Sequence, residues 1–279
     1  MNTTIEKRTE RGNSVRSHPN HTILGINIGF HDSSACVVRN GRLLHFVEQE
    51  RLSRRKHALA EFPEEATHRC FAAAGVDPHE VDEVAIGWDF RGTKVGNRRR
   101  FSEERILKRI FGDGGPRPPV RWVDHHLAHA ASGLFTSGEF DAAILVADGA
   151  GEQVATSLMH ARSGVIDTLI RYPVGQSLGF FYSAATRWAG FGGWGPGKLM
   201  GLAAYGRPRC ALPILIDERG YTISVNGAPL ADIGEPRGPM LNHFPGFEEV
   251  EAFVAWYVGR LQAYFEVGAD GDLGARPGR

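Results

Sequence analysis

The sequence predicts an α/β fold built by duplication, and three observations carry that reading. A strand–turn–strand–hairpin–strand unit opens near the amino end, a second unit of the same pattern starts in mid-chain, and helical patterns lie between and after them. The first unit begins with the apolar run Ile23–Ile28 and turns through Gly29-Phe30-His31-Asp32-Ser33-Ser34. It continues through Ala35–Val38 and returns as Leu43–Val47 across Asn40-Gly41, a dipeptide suited to the positive φ angles of a tight hairpin. Pro63 opens a helix that Gly75 stops, with Ala66, Cys70, Phe71 and Ala74 as its inner stripe. Val84–Trp88 reads as a further strand, and Glu103–Ile110 as a short helix inside a basic, Gly- and Pro-bounded excursion from Arg91 to Pro119.

The second unit repeats the scheme. Ala142–Ala147 ends in Asp148-Gly149-Ala150-Gly151, Val154–Met159 follows, and Val165–Arg171 returns across Ser163-Gly164. Such a repeat, each small-residue turn facing a phosphate across a cleft, is what an actin-like (ribonuclease H-like) ATPase fold requires, although unrelated hairpins would give the same pattern. Ser177–Ala189 reads as a helix, Phe191–Lys198 as a glycine-rich loop and Met200–Tyr205 as the segment after it. Val250, Phe253, Val254, Tyr257, Leu261 and Tyr264 share one face of a final helix, Val250–Phe265. The expected organisation is a flexible tail over 1–21, a first lobe over 22–140, a partial second lobe over 141–266 and a disordered tail over 267–279.

Composition narrows the function classes. Lys and Arg balance Asp and Glu at 32 each, so no global charge points to nucleic acid or an anionic membrane. No apolar run is long enough to span a bilayer, and the polar first residues do not resemble a secretory signal. Three scattered cysteines without such a signal suggest reduced thiols and a cytoplasmic protein.

Two groups of residues carry chemistry. His125 and His129 stand four apart in Asp124-His125-His126-Leu127-Ala128-His129-Ala130, which on a helix puts both imidazoles on one side. They are metal ligands or ordinary surface histidines; Asp148, an acid closing a buried strand, is costly to bury without a cation and favours ligation. Two His and one Asp suit iron, zinc or manganese. His31 and Asp32 occupy the first turn, where Asp32 either serves an anionic or acyl ligand or forms an Asx-turn. Glu50-Arg51 and Arg54-Arg55-Lys56-His57 follow the third strand, as a solvated loop or as a cluster meeting an anion. Gly192–Lys198 matches G-x-x-x-x-G-K, but Leu199 replaces the Ser or Thr that a P-loop needs for magnesium, so a P-loop NTPase is excluded.

Taken in order, these motifs resemble a known family. Gly29-Phe30-His31-Asp32-Ser33-Ser34-Ala35, Glu50-Arg51 with Lys56-His57, His125-His126-Leu127-Ala128-His129-Ala130 and Asp148-Gly149-Ala150-Gly151-Glu152 are similar to its signatures. So are Ser177-Leu178-Gly179 with Tyr182, and Gly197-Lys198-Leu199-Met200-Gly201-Leu202-Ala203-Ala204-Tyr205-Gly206. The family is that of the O-carbamoyltransferases of nodulation-factor and antibiotic biosynthesis, whose actin-like domain is similar to the tRNA threonylcarbamoyl-transfer proteins. The resemblance covers Ile23 to Pro208.

The resemblance implies two steps. A C-terminal YrdC-like domain makes carbamoyl adenylate from carbamoyl phosphate and ATP, and the actin-like domain passes the carbamoyl group to a small-molecule hydroxyl. It implies His125, His129 and Asp148 as ligands of a divalent metal, iron first, with zinc or manganese as alternatives. It places His31 and Asp32 near the acceptor and Lys56 near the carbamoyl or phosphate group. Ser33, Glu50, Arg51, His57, Gly149, Gly151, Glu152, Gly197, Lys198 and Gly201 become substrate or nucleotide contacts. Pro196 departs from the Glu usual before Gly-Lys. The family's second half, with a further Asp ligand and a Gly-rich nucleotide segment, is expected from a second polypeptide or from a longer chain. A non-catalytic metal- or partner-binding remnant and a sugar kinase of the same superfamily are the alternatives; the His pair speaks against the kinase.

Overall fold

The computed structural model describes residues 20–29, 31–92, 100–192, 195–207, 212–218, 220–225 and 228–229, with residues 255 and 259 helical. The rest of the Val250–Phe265 helix, the tail over 267–279 and nearly all of that over 1–21 lie outside the described residues.

Strands β1 (Thr22–Asn27), β2 (Ser34–Arg39) and β3 (Arg42–Glu48) form an antiparallel meander. Asn40 and Gly41 turn β2 into β3 with φ of 54° and 75°, as the dipeptide predicts. β1 also pairs in parallel with β4 (Glu83–Ile86), and β4 in parallel with β5 (Val120–Trp122). The order is therefore β3-β2-β1-β4-β5 with β2 alone reversed. That order and that one reversed strand are the ribonuclease H-like arrangement of an actin-type lobe.

Alternation in β1 buries Thr22, Leu24 and Ile26 on one face. Helix α1 (Gln49–Ser53) follows β3, and helix α2 (Glu64–Ala74) packs on β2 and β3 through Ala66, Cys70 and Phe71. Gly75 ends α2 at φ 63°, where a side chain would be strained. Helix α3 (Glu103–Phe111) adds Ile106, Leu107 and Ile110 to the same core. The excursion is thus partly built into the fold, because a buried face of α3 contributes about 1.5–3 kcal/mol for each large apolar side chain.

Helix α4 (His125–Ser137) leads to the second meander, β6 (Ala142–Gly151), β7 (Val154–Arg162) and β8 (Val165–Pro173), antiparallel throughout. α4 lies on this sheet, with Ala130 against Val146 and Met159. Helix α5 (Leu178–Trp188) packs on β6. The duplication is real at the level of the meander.

Helix α6 (Pro196–Ala203) corrects the end of the expected loop: Gly197 and Lys198 are helical and Gly201 follows in the same helix, because Pro196 sits in the first turn with its φ already set. A small sheet of β9 (Ile214–Asp217), β10 (Gly220–Val225) and β11 (Ala228–Pro229) follows. It docks through Tyr221, whose hydroxyl donates to Gln176 O at 2.7 Å and has Thr156 Oγ1 as a second partner at 2.8 Å. Cys36, half-buried, and Cys70, in the first core, are free thiols, and burial raises Cys70 to about 11. Among the described residues no helix is long and apolar enough to cross a membrane.

Candidate functional site

β1, β4 and β5 run parallel, so their carboxyl ends share one edge, with Ile26 beside Ile86 and Ile86 beside Trp122. The first turn, Gly87-Trp88 and Asp124-His125 leave that edge together. In open α/β sheets this is where ligands bind.

Asp124 caps α4 by accepting the Leu127 amide at 2.9 Å, which starts the helix at His125. Four residues later His129 comes round to the same side. His125 Nε2 lies 3.0 Å from Asp148 Oδ2 and 3.0 Å from His129 Nε2, and His129 Nε2 lies 3.8 Å from Asp148 Oδ2. His126, between them in sequence, is buried against the second sheet, 2.8 Å from Ser157 Oγ.

Asp148 is brought there by a break in its own strand. The β6–β7 register shifts between Ala147 and Gly151, so Asp148, Gly149 and Ala150 bulge out of the ladder. Asp148 Oδ1 accepts the Gly149 amide at 2.6 Å. Ser177, the α5 cap, shares its hydroxyl proton between Asp148 O at 3.1 Å and Gly149 O at 2.7 Å, while accepting the Phe180 amide. A Cβ on Gly179 would stand 2.6 Å from the Asp148 carbonyl, so the approach of α5 needs glycine there. The Ser177-Leu178-Gly179 signature therefore positions the acid.

Gly151 and Glu152 also build this cradle. A Cβ on Gly151 would collide with the His125 ring. Glu152 accepts the Asp89 amide at 2.9 Å and the His125 amide at 3.4 Å, tying α4 to the end of β4. Both Glu152 oxygens thus serve the frame, where a ligand contact was expected.

The electrostatics fit a cation. His125 Nδ1 is 3.0 Å from Gly87 O, which only accepts, so Nδ1 carries a proton, and in the neutral form of the ring the lone pair falls on Nε2. Nε2 then faces a carboxylate oxygen and a second imidazole nitrogen. Three electron-pair donors, all within 4.8 Å of one another, require a shared proton or a cation between them. Burial pushes the Asp148 carboxyl up, but His125, the Gly149 amide and His129 together bring it down to about 2. Burial, then His125, lower His129, favouring the neutral ligand form.

A second group gathers at the first turn. Asp32, Glu50 and His57 offer ligand-type atoms within 4.8 Å of one another. His31 Nδ1 is 2.7 Å from Asp32 Oδ2, and His57 Nδ1 is 3.1 Å from Asp32 Oδ1. Glu50 accepts the His57 amide at 2.6 Å, with Arg51 at 3.6 Å and Lys56 at 3.9 Å from its other oxygen. Lys56 and Arg51 are exposed. Ser33 is buried beside this group, and its hydroxyl has no hydrogen-bond partner among the described residues. Lys198, Gly197 and Gly201 lie on exposed surface of α6, and Lys198 has no ion pair among the described residues.

Comparison with known proteins supplies the class. The family model described as the carbamoyltransferase N-terminus matches residues 22–95 and 98–222, and the chain belongs to that family. The nodulation protein NolNO of Sinorhizobium fredii is 30% identical over 218 residues, 71% of this chain and 32% of that protein. The uncharacterised Synechocystis protein sll1178 is 33% identical over 216 residues, 67% of this chain and 35% of its own length. The chain spans about a third of the length of these curated relatives. Among solved structures, YeaZ from Pseudomonas aeruginosa is 19% identical, with a TM-score of 0.36 over 55% of this chain and 67% of that one.

Proposed function

We propose that this chain supplies the actin-like part of an O-carbamoyltransferase, which moves a carbamoyl group from carbamoyl adenylate to the hydroxyl of a sugar or antibiotic-like small molecule. The observation that carries this reading is the convergence of His125, His129 and Asp148 on one point at the ligand-binding edge. Membership of the family supports it.

The three residues would hold a divalent metal, iron first, with zinc or manganese as alternatives. Such an ion, when bound, holds the nucleotide phosphate and polarises the mixed anhydride. His31 takes the acceptor's hydroxyl proton on its Nε2 as the acceptor oxygen bonds to the carbamoyl carbon. The bond from that carbon to the phosphate oxygen breaks, AMP leaves with the electron pair, and the imidazolium then returns its proton to water. Lys56, an exposed cation beside Glu50, would face the anionic donor.

A non-catalytic binding module is the second reading. It is favoured by the exposure of α6 and of the turn after it, where Met200 and Tyr205 stand in solvent. One experiment addresses both. The purified chain is titrated anaerobically with Fe(II), and separately with Zn(II) and Mn(II), then given carbamoyl adenylate while AMP release to water is followed. Stoichiometric binding, weakened on the order of 10–100-fold in Asp148→Asn, with metal-dependent AMP release, is expected. Binding without release favours the module; no binding in either protein refutes the metal centre.

A further inference from the structure

We propose that His57 is a positioning residue for His31, acting through Asp32, so that the first turn works as a clamped imidazole–carboxylate–imidazole unit. The proposal rests on the reading of His31 as proton acceptor in the transfer step.

Asp32 is held on every side. Its amide donates to His57 O at 2.6 Å, its carbonyl accepts Asn27 Nδ2 at 2.9 Å, and each carboxylate oxygen faces one ring Nδ1. A carboxylate only accepts, so His31 and His57 both present Nδ1–H, and the lone pair of neutral His31 is left on Nε2. His57 thereby occupies Oδ1 and leaves Oδ2 to orient His31. Glu50 fixes His57 in turn through its amide.

The backbone shows what this costs. Asp32, Arg54, His57, Ala58 and Ala60 all have φ between 41° and 63°, the left-handed region that non-glycine residues avoid. A cluster of such residues persists only where its surroundings over-determine it. The bonds of His57, through its amide, carbonyl and ring, are that determination. A loop serving only as a solvated connection would not need one left-handed histidine making all three.

The same atoms could be read as a second metal site, since Asp32, Glu50 and His57 lie close together. Glu50 argues against it. One of its oxygens takes the His57 amide, and the other already has Arg51 and Lys56 as counter-charges.

The test uses the full chain labelled with 15N-histidine, at a pH where the imidazoles are neutral. Long-range 1H–15N spectra report the tautomer of each ring. His31 is expected as Nδ1–H in the unsubstituted protein and in His57→Asn, whose amide reproduces the Nδ1 donor. In His57→Ala the His31 signal should move to mixed tautomers. AMP release from carbamoyl adenylate should fall on the order of 10–100-fold in kcat, with KM nearly unchanged, and His57→Asn should restore most of it.

An unchanged His31 tautomer in a folded His57→Ala would overturn the proposal. So would an altered tautomer with unchanged kcat, or a Zn(II) titration that moves His57 before His125. The proposed function fails differently: a normal kcat in His31→Ala removes the base while leaving the tautomer result standing.

Discussion

At the scale of single residues, the histidine pair was readable because helical spacing alone puts His125 and His129 on one side, and Asp148 because an acid closing a buried strand needs a reason. The partnership of Glu50, His57 and Asp32 was not readable. It depends on left-handed backbone at Arg54, His57 and Ala58, which no sequence rule assigns to Arg, His or Ala. Asp32 gives a pH prediction. Burial pushes its carboxyl up, but the hydrogen bonds and charge of His31 and His57 outweigh this and hold it below its ordinary value. A depressed folded pKa stabilises the native state above the unfolded value and is lost as pH falls through the folded one. Urea melts should show stability falling more steeply below about pH 4 in the unsubstituted chain than in Asp32→Asn, since the asparagine cannot titrate. Parallel slopes would mean the two histidines do not hold the carboxylate.

At the scale of elements, the two meanders and their hairpins were legible because Asn40-Gly41 and Ser163-Gly164 supply the positive φ their turns require. β5 escaped notice, being three residues, Val120-Arg121-Trp122, next to prolines and visible only through its pairing with β4. The start of α6 reads as the end of a glycine-rich loop, because Gly195 and Gly197 mask a helix that Pro196 starts. Glycine also separates packing from propensity here. Gly179→Ala would drive a Cβ to 2.6 Å from the Asp148 carbonyl and the Gly149 amide. We expect a loss of about 1–3 kcal/mol in stability, and weaker metal binding as Asp148 is displaced. Gly133→Ala, within α4 and with nothing inside 4 Å, should instead stabilise by about 0.5–1 kcal/mol. Thermal melts with a metal titration of each variant check both. Equal effects of the two substitutions would sink the account of how α5 seats the acid.

At the scale of the whole molecule, the two sheets are supported by different helices. The first is sealed by a continuous core running from Leu24 and Val84 through Cys70 and Phe71 to Ile110, with α2 and α3 closing it. Beneath α4 the described core is Ala130, Val146 and Met159, with Ile144 and Ile166 partly buried, while Leu145, Val165 and Leu169 stand exposed. Opening free energy follows buried apolar contact, and the second sheet is covered by α4 and also by α5, whose Phe180, Phe181 and Ala184 are buried. The proposed ligands add to this cover, because His125 and His129 belong to α4 and Asp148 to the bulge of β6. An ion held by all three ties helix to strand, and a ligand at about 100 times its Kd stabilises the bound form by about 2.7 kcal/mol. Hydrogen exchange followed by mass spectrometry should therefore show Fe(II) or Zn(II) slowing peptides from α4 and β6 strongly and those from β1 and β4 little. Asp148→Asn should abolish the difference. Uniform slowing would point to global stabilisation of a single cooperative unit, and protection confined to residues 31–57 would move the metal to the first turn.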